Sequence, residues 1–350
     1  MLNVPGFLFS LCCCGAVLAS CGGGGIAPRV RLAPPTAVPT APPTAVPTAP
    51  PTAPPTAPPT AAPGPTSGTT YVFNDTSPYG IEAFAPNANG AATPVSSFTF
   101  SSGSYIPGIT VDATGRVYVV TSGGILSFAY GATGSATPST TLTTVTAGWG
   151  LAIDPSDNLV VTDYNHNLVD FFAPGANGSA APIKQIAGSG TQINYPYQAA
   201  FDGSGNLYVL NANIPSSITE YSAASIAGAG TIDAAPIAVI TSSSSALDGP
   251  EGLAVDSTGR IYVGNSANNT ISVFAPGSNG NVAPAATLSG SIGFSINQAT
   301  IAVDPSNDFY VASSNSNNAV YVFAPVTSSA QTPIRTITGV TYAGGIGIVP

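Results

Sequence analysis

The sequence contains few charged residues. Lys and Arg number six and Asp and Glu fifteen among 350 residues, which gives a formal net charge of −9. With so little positive charge, no basic surface can neutralise a run of phosphates, so the composition predicts no nucleic-acid partner. Electrostatic attraction to anionic lipid headgroups is disfavoured for the same reason.

Cysteine and histidine are scarce as well. The four cysteines all precede residue 22, at Cys12, Cys13, Cys14 and Cys21, and the one histidine is His166. The rest of the chain therefore has no disulfide framework and no cysteine-based zinc site. The GxSxG, CxxC, HExxH and Walker motifs are also missing, so none of these catalytic signatures is present.

The first twenty-one residues predict an export signal. Phe7–Ser20 is an apolar run of 14 residues, shorter than the roughly 20 that a membrane-spanning helix needs and typical of a signal peptide. It ends in Leu-Ala-Ser-Cys21, which resembles the bacterial lipobox, so we expect cleavage before Cys21 and its lipidation. Residues 1–6 contain no Lys or Arg, and the alternative is an apolar segment that ends in cysteine by chance. Lipidation would anchor the chain to a bacterial membrane outside the cytoplasm, in the periplasm or on the cell surface.

A proline-rich segment follows the signal. Residues 33–65 repeat PPTA and VPTA, and frequent proline favours extended polyproline II and cannot build a core. We expect a disordered stalk that separates a folded head from the membrane, and a ligand for a Pro-recognition domain is the alternative. The predicted division is a signal peptide at 1–20, a lipid-anchored linker at 21–68 and a folded head at 69–350.

The head repeats one pattern, an apolar strand that ends in Asp, a tight turn and an alternating strand. The copies are GITVDATGRVYVV, GLAIDPSDNLVVT, QAAFDGSGNLYVL, GLAVDSTGRIYVG and TIAVDPSNDFYVA, and successive Asp residues lie 42, 48, 54 and 48 positions apart. This period, with several short strands in each unit, predicts an all-β fold, a six-bladed β-propeller with four-stranded blades. Tyr71–Pro86 lacks the first strand of the pattern and Gly344–Val349 supplies only that strand, so the two ends should complete the sixth blade and close the ring.

An eleven-residue segment of the form FAPGSNGNVAP recurs after the third strand of five blades, and the corresponding segment Tyr221–Pro236 is longer by five residues. Because it recurs, it is interpreted as a hairpin connector to the fourth strand rather than as a binding loop. Its Phe should pack between sheets, and its last Pro marks the outer edge strand.

The head resembles the NHL-repeat and SMP-30-like six-bladed propellers, through motifs such as GPEGLAVDSTGRIYV at Gly249–Val263. The superfamily includes enzymes and scaffolds, so the resemblance implies the fold more than a function. Its lactonases hold a divalent metal with Glu, Asp and Asn in the channel, and the corresponding weak candidates here are Glu251, Asp163, Asn211 and Asn265. Its streptogramin lyases rely on histidine and glutamate near the channel. This chain has a single histidine, so it lacks the usual residues for that chemistry.

The repeated carboxylates are expected to be structural. Asp opens a turn of the form D-[APGS]-[ST]-[GDN] in every copy, where its side chain can bond the backbone. Repetition at equivalent positions favours a folding role over a catalytic ring. The residues concerned are Asp112, Asp154, Asp202, Asp256 and Asp304.

Ligand binding is expected on the face formed by the loops between the second and third strands and the loops that enter the next blade. Amides and aromatics there suit neutral polar ligands such as glycans or peptides, whereas the alternative is that they simply build polar turns. His166 is either a general base or a solvated loop residue. The predicted ligand-binding residues are Trp149, Asp163, His166, Tyr195, Tyr197, Asn211, Glu251 and Asn265, and Tyr164 and Asp248 lie in the same loops.

Three functions are compatible with this organisation. The first is a membrane-tethered binding module for a glycan, peptide or protein ligand, with no cofactor. The second is a hydrolase or lyase that uses a divalent cation at the channel mouth. The third is a purely structural envelope protein. The binding module is favoured for two reasons. A lipid anchor and a stalk would present the propeller away from the membrane, and the catalytic signatures are missing.

Overall fold

The computed structural model describes residues 64–74, 78–101, 108–241, 246–289, 301–313 and 318–350, which belong to one compact unit, Ala61–Pro350. The predicted signal peptide, the lipidation site at Cys21 and the proline-rich linker up to residue 63 lie outside these residues. The described part consists of strands and turns, as predicted. It contains no helix with the length and hydropathy required to cross a membrane.

Six antiparallel sheets form the blades of the propeller. From the inner to the outer strand, blade 1 contains β28 (Gly345–Ile348), β1 (Thr70–Asn74), β2 (Gly80–Phe84) and β4 (Ser96–Thr99). Blade 2 contains β5 (Ile109–Val111), β6 (Val117–Thr121), β7 (Gly124–Phe128) and β9 (Thr140–Leu142). Blade 3 contains β10 (Gly148–Ile153), β11 (Leu159–Asp163), β12 (Leu168–Phe172) and β13 (Lys184–Ile186).

The remaining blades follow the same order. Blade 4 contains β14 (Pro196–Phe201), β15 (Leu207–Asn211), β16 (Ser217–Tyr221) and β18 (Ala238–Thr241). Blade 5 contains β19 (Pro250–Val255), β20 (Ile261–Asn265), β21 (Thr270–Phe274) and β23 (Ala286–Ser289). Blade 6 contains β24 (Ile301–Val303), β25 (Phe309–Ser313), β26 (Ala319–Phe323) and β27 (Arg335–Thr338).

The ring closes through blade 1, as predicted. β28 pairs with β1 in an antiparallel register that aligns Thr70 with Ile348 and Phe73 with Gly345. The inner strands of neighbouring blades then contact one another around the whole circle, including β28 with β5 and β24 with β28. Closure by one strand from the C-terminal end therefore protects the inner edge of β1 from pairing with another chain.

The repeated Asp residues hold the turns between the first and second strands. In blade 5, Asp256 Oδ1 accepts hydrogen bonds from the backbone N–H groups of Thr258 and Arg260, and the Tyr262 hydroxyl donates to Oδ2 at 3.4 Å. Equivalent backbone bonds occur at Asp112, Asp154, Asp202 and Asp304. Their predicted folding role is confirmed, because each carboxylate satisfies amide groups that the tight turn leaves unpaired.

The eleven-residue connectors do more than join the third and fourth strands. Three of them, and the longer connector of blade 4 at Tyr221–Pro236, each contribute a short fifth strand that pairs in parallel with the outer strand of the preceding blade: β3 (Gly90–Ala91) with β27, β8 (Gly134–Ser135) with β4, β22 (Gly280–Asn281) with β18 and, in the longer connector, β17 (Gly230–Ile232) with β13. Within the described residues, a bridge between Leu142 and Gly178 adds a similar contact to blade 2. The predicted four-stranded blades are thus extended, and neighbouring blades are joined at their outer edges.

Apolar side chains fill the spaces between adjacent blades. The Phe that begins each connector is completely buried in blades 1, 2, 3, 5 and 6, at Phe84, Phe128, Phe172, Phe274 and Phe323. Between blades 5 and 6, the rings of Tyr262 and Phe309 stack with centroids 4.4 Å apart. The core is therefore distributed around the ring as six clusters rather than gathered in one centre.

Candidate ligand-binding site

The propeller has two faces with different loops. We call the side that carries the Asp turns the turn face, and the side that carries the loops between second and third strands the loop face. The central channel is a cavity of about 450 Å³ lined by the inner strands of all six blades, and it reaches Ala113, Pro155 and Pro350 of the turn face. Its lining is largely Ile, Leu, Val and Ala, so the channel itself offers few polar groups to a ligand.

Four aromatic side chains converge on the loop face, where blades 3 and 4 meet. The centroid of the Trp149 ring lies 4.6 Å from the centroid of the Tyr197 ring and 5.4 Å from that of the Tyr164 ring. Tyr164 is in turn 4.9 Å from Tyr195 and 5.5 Å from Tyr197, the latter pair nearly edge-to-face. These distances are those of favourable aromatic pairs. We call these four residues the aromatic cluster.

Hydrogen bonds among β10, β11, β14 and the adjoining loops position the aromatic cluster. The Thr162 hydroxyl accepts from the Gly150 N–H at 2.8 Å and donates to the Tyr197 carbonyl at 3.1 Å. A side chain at Gly150 would overlap the Tyr197 carbonyl. The Tyr164 N–H donates to the carbonyl of Ala147 at 3.1 Å. Glycine is therefore required at the point where the strands that carry Trp149 and Tyr197 approach each other.

Tyr195 is the most accessible ring of the aromatic cluster. Its side chain is 41% exposed and its backbone has a left-handed φ of 51°, a conformation that is uncommon for an aromatic residue. The Tyr195 N–H donates to Asn167 Oδ1 at 2.7 Å, and its carbonyl accepts from the Ala212 N–H at 3.0 Å. The surrounding loops thus hold Tyr195 in a strained geometry that presents its ring to solvent.

A groove of about 320 Å³ lies beside the aromatic cluster, between the loops of blades 4 and 5. Tyr197 forms part of its wall and so belongs to both features. The other lining residues are Ala212, Ile214, Pro215, Ser216, Leu247, Asp248, Gly249, Pro250 and Glu251. The Ser266 hydroxyl donates to Glu251 Oε1 at 2.8 Å. We call this feature the blade 4–5 groove.

The phenol of Tyr197 stays protonated across the physiological pH range. Burial raises the pKa of Tyr197, and the neighbouring Tyr164 and Glu251 raise it further. Tyr197 therefore lines the blade 4–5 groove as a neutral aromatic residue that keeps its hydroxyl proton.

Two predicted ligand contacts, Asn211 and Asn265, are buried in the protein. Asn265 donates to the Ala246 carbonyl and to Ser272 Oγ, while its Oδ1 accepts from the Asp248 N–H at 3.1 Å. Asn211 similarly accepts from the Asn194 N–H at 3.0 Å and donates to Thr219 Oγ1 at 3.2 Å. Both amides hold the loop that enters their own blade, so this environment favours a structural role over the predicted ligand contact.

Asp163 and His166 form a local pair near the aromatic cluster. Asp163 is buried, and its Oδ1 accepts from the backbone N–H of His166 and lies 2.8 Å from His166 Nδ1. That hydrogen bond raises the pKa of His166, and the carboxylate charge adds to the shift. The imidazole is 64% exposed, so the pair orders the loop between β11 and β12 and presents a solvated ring.

The weak metal candidates come from separate blades, apart from Glu251 and Asn265, which both belong to blade 5. Asp163, Asn211 and Glu251 belong to three different blades, and Asp163 and Asn211 are engaged by the loop contacts described above. Over the described ranges, no group of three or more His, Cys, Asp or Glu side chains is placed to hold a metal ion.

The ligand-binding residues predicted from the sequence do not include two residues that line the groove. Ile214 and Pro215 line the blade 4–5 groove, and Ile214 is 91% exposed. The signal that could have found them is an apolar Ile-Pro pair in the otherwise polar stretch NANIPSS, since an exposed large apolar side chain often marks an interaction surface.

Comparisons with known proteins agree with this architecture. The NHL repeat model matches residues 247–274, which contain the first three strands of blade 5. A protein from Lactobacillus plantarum is 16% identical with a TM-score of 0.55, covering 82% of this chain and 86% of that chain. The Nidogen/Laminin complex structure is 18% identical with a TM-score of 0.56, covering 81% of this chain and 99% of that chain.

A candidate 6-phosphogluconolactonase from Bacteroides fragilis has the same fold, at 16% identity and a TM-score of 0.51, with coverage of 82% of this chain and 86% of that chain. Curated protein sequences contained no match. At sequence identities this low, the similarity supports a shared fold and nothing about function. The protein is therefore a six-bladed β-propeller, and its fifth blade matches the NHL repeat model.

Proposed function

We propose that this propeller is a binding module whose ligand surface is the aromatic cluster together with the blade 4–5 groove. The observation that carries the proposal is the convergence of Trp149, Tyr164, Tyr195 and Tyr197 beside a groove of about 320 Å³. Aromatic rings offer large contact areas at low cost in conformational entropy, and a concave surface with a few polar groups orients what binds there.

The position of the site supports a binding role. Its residues lie on loops and strand ends that vary between blades, whereas the turn face repeats the same structural Asp turn. A rigid scaffold that displays variable loops is a common arrangement for recognition.

The sole tryptophan of the chain provides a direct test, because Trp149 lies in the aromatic cluster. The full-length protein in detergent is titrated with glycans, peptides and small organic ions while Trp149 fluorescence is followed. Binding to the site should shift the emission, and Tyr195→Ala should weaken the response at least tenfold.

Tyr130→Ala is the matched control, since Tyr130 is similarly exposed at 43% but lies in a connector of blade 2. It should leave the titration unchanged. An equal loss in both variants, or a ligand whose binding leaves Trp149 emission unaltered, would contradict the proposed site. An envelope protein without a small ligand would give no response to any compound.

We further propose that the module is tethered to a bacterial membrane through Cys21 and the proline-rich stalk. The support comes from the lipobox-like sequence before Cys21 and the proline repeats at 33–65. The test is mass spectrometry of the N-terminal peptide together with membrane fractionation. Acyl chains on Cys21 are expected, and Cys21→Ser should release the protein from the membrane. Cys14→Ser is the control and should leave fractionation unchanged.

A further inference from the structure

The blade 4–5 groove has an uneven chemistry. Tyr197, Ile214 and Pro215 give it an aromatic and apolar wall, while Asp248 and Glu251 are the charged groups among its lining residues. The groove therefore combines an aromatic surface with negative charge in a concave space.

The positive charges of the described head lie on the other side of the molecule. Arg260 pairs with Asp256 at 3.3 Å, and Arg335 pairs with Asp308 at 3.4 Å, both at Asp turns. Arg116 directly precedes the second strand of blade 2, and its backbone N–H donates to Asp112 of the Asp turn. Lys184 Nζ lies 3.8 Å from the centre of the Phe171 ring and donates to the Ile226 carbonyl. All four described Lys and Arg residues thus lie at or next to the turn face.

The described loop face therefore carries carboxylates and no Lys or Arg. Its described acidic groups include Asp163, Asp248 and Glu251, of which Asp163 is paired with His166. A concave site of one charge sign with low-dielectric walls concentrates counter-ions of the opposite sign. The ligand that complements the blade 4–5 groove is accordingly a cation.

The aromatic wall discriminates between kinds of cation. A ring face attracts an ammonium group through its quadrupole, and the attraction is strongest when the cation is weakly hydrated, as in quaternary ammonium compounds. A small divalent metal instead requires several converging oxygen ligands, and the described residues contain no group of three or more His, Cys, Asp or Glu side chains that could hold one. The groove volume of about 320 Å³ is that of a small-molecule site.

We propose that the blade 4–5 groove binds a small organic cation with a quaternary ammonium group, placed against the Tyr197 ring and between Asp248 and Glu251. This inference rests on the proposed function and names its ligand class. The methylated ammonium contacts the aromatic and apolar wall, while the two carboxylates balance its charge.

The test compares two ligands of the same shape. Full-length protein is titrated with choline and with 3,3-dimethylbutan-1-ol, the neutral carbon analogue, by calorimetry and Trp149 fluorescence. Choline should bind at least tenfold more tightly than the alcohol, and its affinity should fall as salt is raised, because screening weakens charge attraction.

Variants separate the ring from the carboxylates. Tyr197→Phe keeps the ring and should retain choline affinity within about threefold, as expected for a cation–π contact. Tyr197→Leu and Glu251→Gln should each lose about tenfold or more. Asp157→Asn, which changes a carboxylate on the turn face, is the control and should have no effect. Thermal unfolding of each variant shows whether a loss reflects misfolding, and Tyr197→Phe remains informative if Tyr197→Leu does not fold.

The outcomes distinguish this inference from the proposed function. Equal binding of choline and the alcohol would overturn the cation site while leaving a ligand site at the groove. A response of Trp149 to glycans or peptides but not to choline would do the same. Choline binding that Tyr197→Leu and Glu251→Gln leave unchanged would place the cation elsewhere and overturn the inference. If no compound of any class perturbs Trp149, the proposed function fails as well.

Discussion

Single side chains in this propeller act largely through the backbone groups that they satisfy. Asp256 closes its turn by accepting two backbone N–H groups. Asn265 holds the loop that enters blade 5, and Thr162 joins β10 to β14, the strand that carries Tyr197. Because an unsatisfied buried polar group costs about 1–3 kcal/mol, these residues decide where the exposed side chains of the loop face come to lie.

Gly150→Ala tests the close approach beneath the aromatic cluster. The added methyl group would overlap the Tyr197 carbonyl, so the strands must separate and the free energy of unfolding should fall by about 1–3 kcal/mol. Chemical denaturation measures the loss, and Trp149 emission should shift because its neighbour Tyr197 moves.

Gly123→Ala is the control for that substitution. The nearest atom to a methyl group there is Thr121 Oγ1 at 3.8 Å, an ordinary contact. Stability within about 0.5 kcal/mol of the parent is expected. Equal losses in the two variants would show that the approach of β10 to Tyr197 is not the cause.

The single histidine makes one protonation event observable. The hydrogen bond to Asp163 raises the folded-state pKa of His166 above its unfolded value of about 6.5. The pairing therefore stabilises the fold fully below the unfolded pKa, and this contribution disappears as pH rises through the folded pKa. Since the imidazole is 64% exposed, solvent screening keeps the effect small.

Proton NMR of the His166 ring across the pH range measures this shift. A midpoint above the ordinary histidine value is expected for the parent protein. Asp163→Asn removes the charge and should bring the midpoint down. An unchanged midpoint in the variant would assign the shift to another group.

At the scale of elements, the connectors link each blade to its neighbour. Asn89 Oδ1 accepts from the Thr336 N–H of blade 6 at 3.0 Å, and Asn177 and Asn279 make the same contact with blades 2 and 4. In blade 6 the connector has Ser329 instead, whose hydroxyl accepts from the Thr287 N–H. These side chains cover the amide groups of outer strands, which would otherwise be open to pairing.

Asn89→Ala tests one such link. The variant loses an acceptor for the Thr336 N–H and should be less stable by about 0.5–1.5 kcal/mol, measured by denaturant unfolding. Hydrogen exchange at Thr336 should accelerate.

Asn87→Ala is the control because Asn87 is an exposed residue of the same connector. Its exchange and unfolding curves should match those of the parent. Comparable destabilisation by both substitutions would point to the composition of the loop rather than to the bond with blade 6.

At the scale of the whole molecule, the ring depends on the pairing of its two ends. β28 supplies the inner strand of blade 1 and also contacts β5 and β24 of the neighbouring blades. Neighbouring blades bury apolar clusters against each other around the circle. Opening the ring at one point therefore exposes both a sheet edge and an inter-blade surface.

Deletion of residues 345–350 removes β28 and should open blade 1. We expect loss of cooperative unfolding and concentration-dependent aggregation, because the edge of β1 becomes available for pairing. Light scattering and calorimetry check this outcome. Deletion of Pro350 alone, which leaves β28 intact, should preserve a cooperative transition, and a cooperative, monomeric product from the longer deletion would contradict the closure model.

Much of the fold is readable from the chain because each blade repeats one local pattern. The Asp turns, the alternating strands and the buried Phe of the connectors are local features, and their recurrence predicts the blades and the closure by β28. The fifth strands are not readable in the same way, since β8 (Gly134–Ser135) has too few residues to carry a periodic pattern and forms only against a neighbouring blade.

The sequence by itself determined the number of blades, the structural role of the repeated Asp residues and the face on which ligand contacts were predicted, because these follow from local patterns and their repetition. Only the tertiary structure decided which loop residues meet. It gathered Trp149, Tyr164, Tyr195 and Tyr197 beside the blade 4–5 groove and buried Asn211 and Asn265. The physical reason is that these contacts join loops 15 to 50 residues apart, and their approach is set by the packing of whole blades against one another.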